Sequence, residues 1–322
     1  MKVLITGATG LVGKAITKVL HTKGIAVNYL TTSKDKIVST ENYNGFYWNP
    51  TDGEIDIACF EEVSAIINLA GASIANKWTT AYKKKVLSSR IDSIQTLHEG
   101  LKKVDASQIK SFVSASAIGI YPSSLYTYYD ETETAVDDSF LGEVVEEWEK
   151  KIDTLKVFDF NVAKIRIGIV LSTEGGALPK MASPVKNYVG AAFGNGKQWQ
   201  SWIHINDLAN IFVYVLEKRL KGIFNAVAPN PVTNSKMTKE LAKILKKPLV
   251  LPNVPKPIME LILGEMSYLL FASHRVSSKR IEKKGYNFEF SNICCAIEDL
   301  YTSKQNVEVC KTKTASLNKE VA

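Results

Sequence analysis

Lys2-Val3-Leu4-Ile5-Thr6-Gly7-Ala8-Thr9-Gly10-Leu11-Val12-Gly13 joins a short β-branched run to a helical pattern through glycines spaced G-x-x-G-x-x-G. Gly7 permits the tight turn, Gly10 lets the backbone approach a pyrophosphate with no Cβ in the way, and Gly13 lets the helix pack closely on the strand. Val12, Ala15, Ile16, Val19 and Leu20 then recur on one helix face, Gly24 supplies the stop, and a second strand pattern follows at 25–30. The spacing predicts one βαβ unit whose helix N-terminus turns free N–H groups and a positive dipole end toward phosphates. Gly7, Thr9, Gly10, Leu11, Val12 and Gly13 are the candidate contacts to a dinucleotide.

The end of the second strand decides which dinucleotide. An Asp or Glu there clasps a free ribose 2′-hydroxyl, whereas this chain reads Thr31-Thr32-Ser33-Lys34. Without an acid at the tip, Thr32, Ser33 and the Lys34 ammonium are available to a 2′-phosphate, so NADP(H) is preferred over NAD(H). Asp35 stands close by, and an exposed loop lysine is the alternative account of Lys34.

Outward from this unit, residues 1–170 alternate β-branched runs with helical segments. Strands are expected at 2–6, 25–30, 65–69, 111–114 and 163–169, with helices at 79–103 and 139–154, the pattern of a parallel sheet covered by crossover helices. The fold class is therefore α/β: a Rossmann doubly wound parallel sheet with a smaller C-terminal α/β substrate lobe. The expected division is 1–171 for the nucleotide domain, with 203–220 packing back on it, and 172–202 plus 221–302 for the substrate lobe. From 303 to 322 the chain is polar with isolated apolar residues, and a disordered tail is expected.

With 322 residues and 45% hydrophobic content the chain buries a large core without disulfide or metal staples. Its net charge of +7 is scattered: Lys83, Lys84 and Lys85 sit on a helical pattern and the rest decorate loops and the tail, so no nucleic-acid partner is expected. The opening apolar run is too short for a signal-peptide core and no stretch reaches a membrane span, so a cytoplasmic location and no membrane partner are expected. Cys59, Cys294, Cys295 and Cys310 show no CxxC pair and are read as free thiols; with no HExxH spacing, no metal is expected. A homo-oligomer is compatible with the sequence, which gives no sign of one.

The glycine motif, Asn68-Leu-Ala-Gly71, Ser114-Ala-Ser116-Ala and Trp202-Ile-His204-x-x-Asp207-Leu-Ala together resemble the extended, epimerase/dehydratase-like branch of the short-chain dehydrogenase/reductases, from residue 1 to about 300. Arg166-Ile-Gly-Ile-Val-Leu-Ser172 and the run from Gly194 to His204 look like its sugar-nucleotide epimerase-like (YfcH-like) subgroup. The resemblance implies a small-molecule substrate and places Asn68, Ala70 and Gly71 on the cofactor side. Ser116 stands where the family's catalytic Ser or Thr hydrogen-bonds the reacting oxygen, or else merely satisfies a strand end. His204 and Asp207 match a motif that in relatives links domains, and a structural pair is the better reading for them.

In this superfamily a Tyr phenol moves the proton, with a Lys four residues later lowering its pKa from about 10 toward neutrality. Here Leu141 and Val145 fall in those two places, and neither carries a proton. The pair Tyr214 and Lys218 has the right spacing but the wrong place. Of the tyrosines that follow Ser116 (Tyr121, Tyr126, Tyr128 and Tyr129), Tyr121 is closest to the strand tip, so Ser116 and Tyr121 are the candidate catalytic hydroxyls, the alternative being aromatics that line the cleft. Arg166 would contact an anionic cofactor or substrate group, or be buried as a paired structural cation. Glu143, Glu146 and Glu147 read as a solvated face, and Trp199 and Trp202 as either a stacking platform or core. The expected function is an NADP(H)-dependent oxidoreductase or epimerase-like enzyme; the alternative is an NADP(H)-binding or sensing protein that has lost the Tyr/Lys pair.

Overall fold

The computed structural model describes residues 1–302, so the polar tail expected at 303–322 lies outside the described residues. The elements that build the large sheet and its covering helices are β1 (Lys2–Thr6), α1 (Leu11–Thr22), β2 (Ala26–Thr31), β3 (Tyr43–Asn49) and β4 (Ala65–Asn68). They continue with α2 (Thr80–Leu101), β5 (Ser111–Ala117), α3 (Phe140–Asp153), β6 (Asn161–Ile167), α4 (Ile205–Glu217) and β7 (Gly222–Ala226). The strands form one parallel sheet in the order β7-β6-β5-β4-β1-β2-β3, with the short strand Ser39–Thr40 added antiparallel at the far edge. That is the doubly wound Rossmann architecture, with the order reversing at β1.

A parallel sheet is covered on both faces, which is why Val3, Leu4 and Ile5 are all fully buried rather than alternating. Helix α1 buries Gly13, Ile16 and Leu20, while α3 starts on a Ser139 cap and buries Leu141, Val144, Val145, Trp148 and Ile152. Each large apolar side chain so covered contributes about 1.5–3 kcal/mol. In register, Thr6 lies beside Asn68 and Asn68 beside Ser114, so β1 and β4 finish level while β5 runs on to Ala117.

Two differences from expectation have local causes. Strand β3 was not predicted because Tyr43-Asn-Gly-Phe-Tyr-Trp-Asn has no period-two alternation; Gly45 is needed there because a Cβ would stand 2.5 Å from the Tyr29 ring. The strand expected at 163–169 divides at Gly168, where a Cβ would fall 2.3 Å from the Ser201 carbonyl oxygen. Beyond it, Ile169–Leu171 leaves the large sheet and pairs in parallel with Trp202–His204.

By internal contacts the chain forms two compact units, the first comprising Met1–Pro122, Glu131–Ile167 and Leu208–Ala226. The second holds Ser123–Asp130, Gly168–Asp207 and the chain from Val227 onward. Its core joins Leu171, Leu178, Val185, Trp202, Met237 and Phe290, and two further short pairs, Trp199–Gln200 with Val232–Thr233 and Tyr128–Tyr129 with Arg275–Val276, complete it. Among the described residues no helix is long and apolar enough to cross a membrane. Cys59 and Cys294 carry free thiols, whereas Cys295, expected free, is disulfide-bonded.

Candidate functional site

The loop between β1 and α1 has the form its glycines predict. Gly7 adopts φ +71°, a left-handed conformation, and its missing Cβ leaves room for the Leu69 backbone at 3.2 Å. A Cβ on Gly13 would stand 2.2 Å from the Gly7 carbonyl oxygen and 2.6 Å from Ala8 Cα, so only glycine lets α1 start this close to the turn. Gly10 differs: its Cβ would meet only the Gly7 oxygen, at 3.3 Å, and Thr9 and Gly10 are both exposed. As the N-cap of α1, Gly10 offers no side chain to the first-turn N–H groups, which leaves them to an anion.

At the tip of β2 the Thr31 hydroxyl accepts from Ser33 N at 3.2 Å, forming a turn that presents Thr32, Ser33 and Lys34. Thr32 and Lys34 are exposed, and the Lys34 ammonium lies 5.1 Å from the Tyr47 ring. The loop beyond is pinned by Tyr29, whose hydroxyl donates to Lys36 O at 2.6 Å and accepts from Val38 N at 2.8 Å.

Beneath the glycine loop runs a buried chain of hydrogen bonds that the sequence reading did not find. Thr6 Oγ1 donates to Asn68 Oδ1 at 2.7 Å and accepts from the backbone of Leu69 and Ala70 at 3.0 and 3.1 Å. Asn68 Nδ2 donates in turn to Ser114 Oγ at 3.0 Å. Asn68, expected on the cofactor side, is therefore fully buried and spends its amide on aligning three strands. Ala70 is half-buried and Gly71 exposed beyond it. A Cβ on Gly71 would stand 3.1 Å from the Arg90 guanidinium carbon, and Arg90 Nη1 donates to Ala72 O and Val86 O, tying this loop to α2. Burial draws the Arg90 pKa down to about 10.

The candidate catalytic hydroxyls are both committed. Ser116, 2% exposed, donates to Glu149 Oε1 at 2.6 Å. Arg166 binds the same carboxylate bidentate, Nε to Oε1 at 2.8 Å and Nη2 to Oε2 at 3.0 Å, with Lys164 Nζ at 3.6 Å. Arg166 is 5% exposed, so its guanidinium faces Glu149 rather than a cofactor. Burial raises the Glu149 carboxyl, but the Arg166, Ser116 and Lys164 donors more than offset it and hold its pKa below the usual range. Tyr121 is fully buried, donates to Asn225 Oδ1 at 2.8 Å and lies 4.9 Å from the Arg166 guanidinium carbon. Burial pushes its phenol up to about 12 against the opposing pull of Arg166, so at neutral pH it stays protonated. Leu141 and Val145 are buried on α3 in the Tyr and Lys places, and Tyr214 and Lys218 meet as a cation over a ring at 5.9 Å and through a backbone bond from Lys218 N to Tyr214 O at 2.9 Å. Glu143 is exposed, while Glu146 and Glu147 bridge to Lys150, a solvated face as read.

In the second unit Asp207 is fully buried and accepts from the Tyr286 hydroxyl at 2.8 Å and from the Glu289 and Phe290 backbone at 2.9 Å each. His204 stacks on Phe290 at 3.9 Å and points Nε2 at Asp299, 3.3 Å away. Trp202 is fully buried with Nε1 donating to Asn230 O, whereas Trp199 is half-buried.

Known proteins share these features. Residues 3–140 match the NAD dependent epimerase/dehydratase family and residues 254–300 a domain of unknown function, DUF1731. An epimerase family protein of Staphylococcus aureus (strain MRSA252) is 35% identical over 298 residues, spanning 92% of this chain and 98% of its own. The crystal structure of human epimerase family protein SDR39U1 with NADPH matches with a TM-score of 0.82 at 28% identity, over 94% of this chain and 99% of that one. The nucleoside-diphosphate sugar epimerase of Corynebacterium glutamicum matches with a TM-score of 0.72 at 27% identity, over 99% of this chain and 66% of its own. A glycine loop built on a Rossmann sheet, carried on a chain this similar to relatives along nearly all of their length, makes the protein a member of the NAD dependent epimerase/dehydratase family, within the extended short-chain dehydrogenase/reductases.

Proposed function

We propose that the chain is an NADP(H)-dependent, epimerase-like oxidoreductase acting on a small polar substrate. The observation that carries this reading is the pairing of an uncapped, exposed α1 N-terminus at Gly10 with a β2 tip that offers Thr32, Ser33 and Lys34 and no acid. The backbone of Thr9, Gly10, Leu11 and Val12 would hold the diphosphate, Gly7 and Gly13 setting the turn. Thr32, Ser33 and Lys34 would hold a 2′-phosphate, and Ala70 and Gly71 would flank the ribose. When bound, the nicotinamide supplies a carrier for hydride. The human relative's NADPH and the Corynebacterium relative's class of substrate support an NADP-linked site and a nucleoside-diphosphate sugar respectively.

Thermal shift with NADPH and NADH tests the cofactor. NADPH at one hundred times its dissociation constant should stabilise by about 2.7 kcal/mol. NADH at the same concentration should do less, and K34A should erase the difference; equal stabilisation of the unsubstituted protein by both would remove the preference for NADP.

A second reading, cofactor binding without hydride turnover, is favoured by the commitment of Ser116 to Glu149 and Tyr121 to Asn225, beside an apolar Leu141 and Val145. NADPH deuterated at C4 separates the two. Label passing to a nucleoside-diphosphate 4-ketosugar supports turnover, and Y121F should then abolish it while leaving NADPH binding intact. Binding with no label loss supports the second reading.

A further inference from the structure

Three segments of the second unit meet at Arg275. In register it lies beside Tyr128, and its guanidinium carbon is 5.1 Å from the Tyr128 ring centroid and 4.6 Å from that of Trp199. The Trp199 ring is itself fixed. Trp199 Nε1 donates to Leu125 O at 3.1 Å, Trp199 N to Ser273 Oγ at 3.1 Å, and Ser273 Oγ to Ser124 O at 2.8 Å.

Two other inward-lying arginines have partners inside the protein: Arg166 binds Glu149 through Nε and Nη2, although its Nη1 is likewise buried without an acceptor, and Arg90 Nη1 binds two carbonyls. Arg275 is different. Among the described residues it has no carboxylate or hydrogen-bond partner, and its Nε is buried without an acceptor. Ring contact uses the face of a guanidinium and leaves its N–H edge unspent, and that planar edge matches the paired oxygens of a phosphate or carboxylate. A guanidinium left so has given up hydration without full compensation, which an oxyanion on its outer N–H groups would offset.

We infer that Arg275, held by Tyr128 and Trp199, is an anion-recognition residue that takes a phosphate or carboxylate oxyanion of the small substrate. The inference rests on the small-substrate reading above, yet it concerns a unit that does not contain the glycine loop, so the two fail separately.

The test is isothermal titration of inorganic pyrophosphate and of glucuronate, at constant ionic strength, into protein saturated with NADPH, so that the glycine loop is filled. At least one anion should bind saturably, at least tenfold more weakly to R275Q and about threefold more weakly to R275K, which keeps the charge but not the planar fork. NADPH affinity should stay within twofold throughout. Binding of pyrophosphate alone assigns a phosphate and of glucuronate alone a carboxylate. Equal anion affinity across the variants, or no saturable binding of either anion, overturns the inference. If R275Q does not fold, R275K decides: a threefold loss supports the site and no loss overturns it. Should NADPH fail to bind at all, the same comparison without it still reports on Arg275.

Discussion

Gly10 and Gly13 sit three residues apart in one motif, yet their surroundings assign them opposite roles. A methyl on Gly13 would press into main-chain atoms of Gly7 and Ala8, which have no rotamer to change, so the turn itself must move. G13A should cost about 1–3 kcal/mol, as overpacking does, and weaken NADPH at least tenfold if the turn holds the diphosphate as proposed. A methyl on Gly10 has only the Gly7 oxygen nearby, and its φ of −78° suits any residue. G10A should therefore fold with a loss of about 1 kcal/mol or less, the ordinary cost of alanine at an N-cap, and still lose the dinucleotide. Urea melts and NADPH titrations on both variants check this. Equal destabilisation by the two would mean that the observed packing of α1 on the turn is not what constrains the motif.

At the scale of elements, Asp207 near the start of α4 holds the segment from Tyr286 to Phe290 through one side-chain and two backbone donors. D207A removes the carboxylate acceptor from all three in a buried place, leaving the Tyr286 hydroxyl the Asp207 carbonyl oxygen at 3.1 Å, and should lower stability by about 2–4 kcal/mol, whereas Y286F removes one hydroxyl and should cost about 1 kcal/mol. A smaller loss in D207A than in Y286F, read from urea midpoints, would contradict the clamp. Elements like these were legible where their cause is local. The turn at Gly7, the helix face of α1 and the helical span at 139–154 each follow from residues within a turn or two of one another. The polar supports were not, because Thr6 meets Asn68 and Asn68 meets Ser114 across the sheet, and Tyr121 meets Asn225 more than one hundred residues on. Glu149 left one usable sign: it follows Leu141 and Val145 at i+8 and i+4, on the buried face rather than the face of Glu143, Glu146 and Glu147. A carboxylate on an apolar face requires a cation, and Arg166 was the available one. Strand β3 hid for another reason, since a strand next to the sheet's edge and buried mostly by half has no alternation to read.

For the molecule as a whole, the buried groups of the first unit set the pH range over which it stays folded. Glu149 has a folded pKa below its ordinary 4.5, so its contribution is complete above about pH 4.5 and drains away as pH falls through the lower folded value. Tyr121 works from the other end. Its phenol is raised from 10.0 to about 12, so the folded state keeps a proton that the unfolded chain releases, and stability present below pH 10 is lost between 10 and 12. A shift of that size corresponds to about 2–3 kcal/mol. E149Q leaves Arg166 buried without its counter-charge, so it should cost about 3–5 kcal/mol at pH 7 and make stability less dependent on pH below 4.5. Y121F should leave the acid limb unchanged and flatten the alkaline one, with lysine titration common to both proteins cancelling in the difference. Chemical melts from pH 3 to 12 measure both limbs on the intact chain. If E149Q kept the full acid slope, the carboxylate would not be charged against Arg166 in the folded protein, and Ser116, bonded to that same oxygen, would be free of the constraint that now holds its hydroxyl.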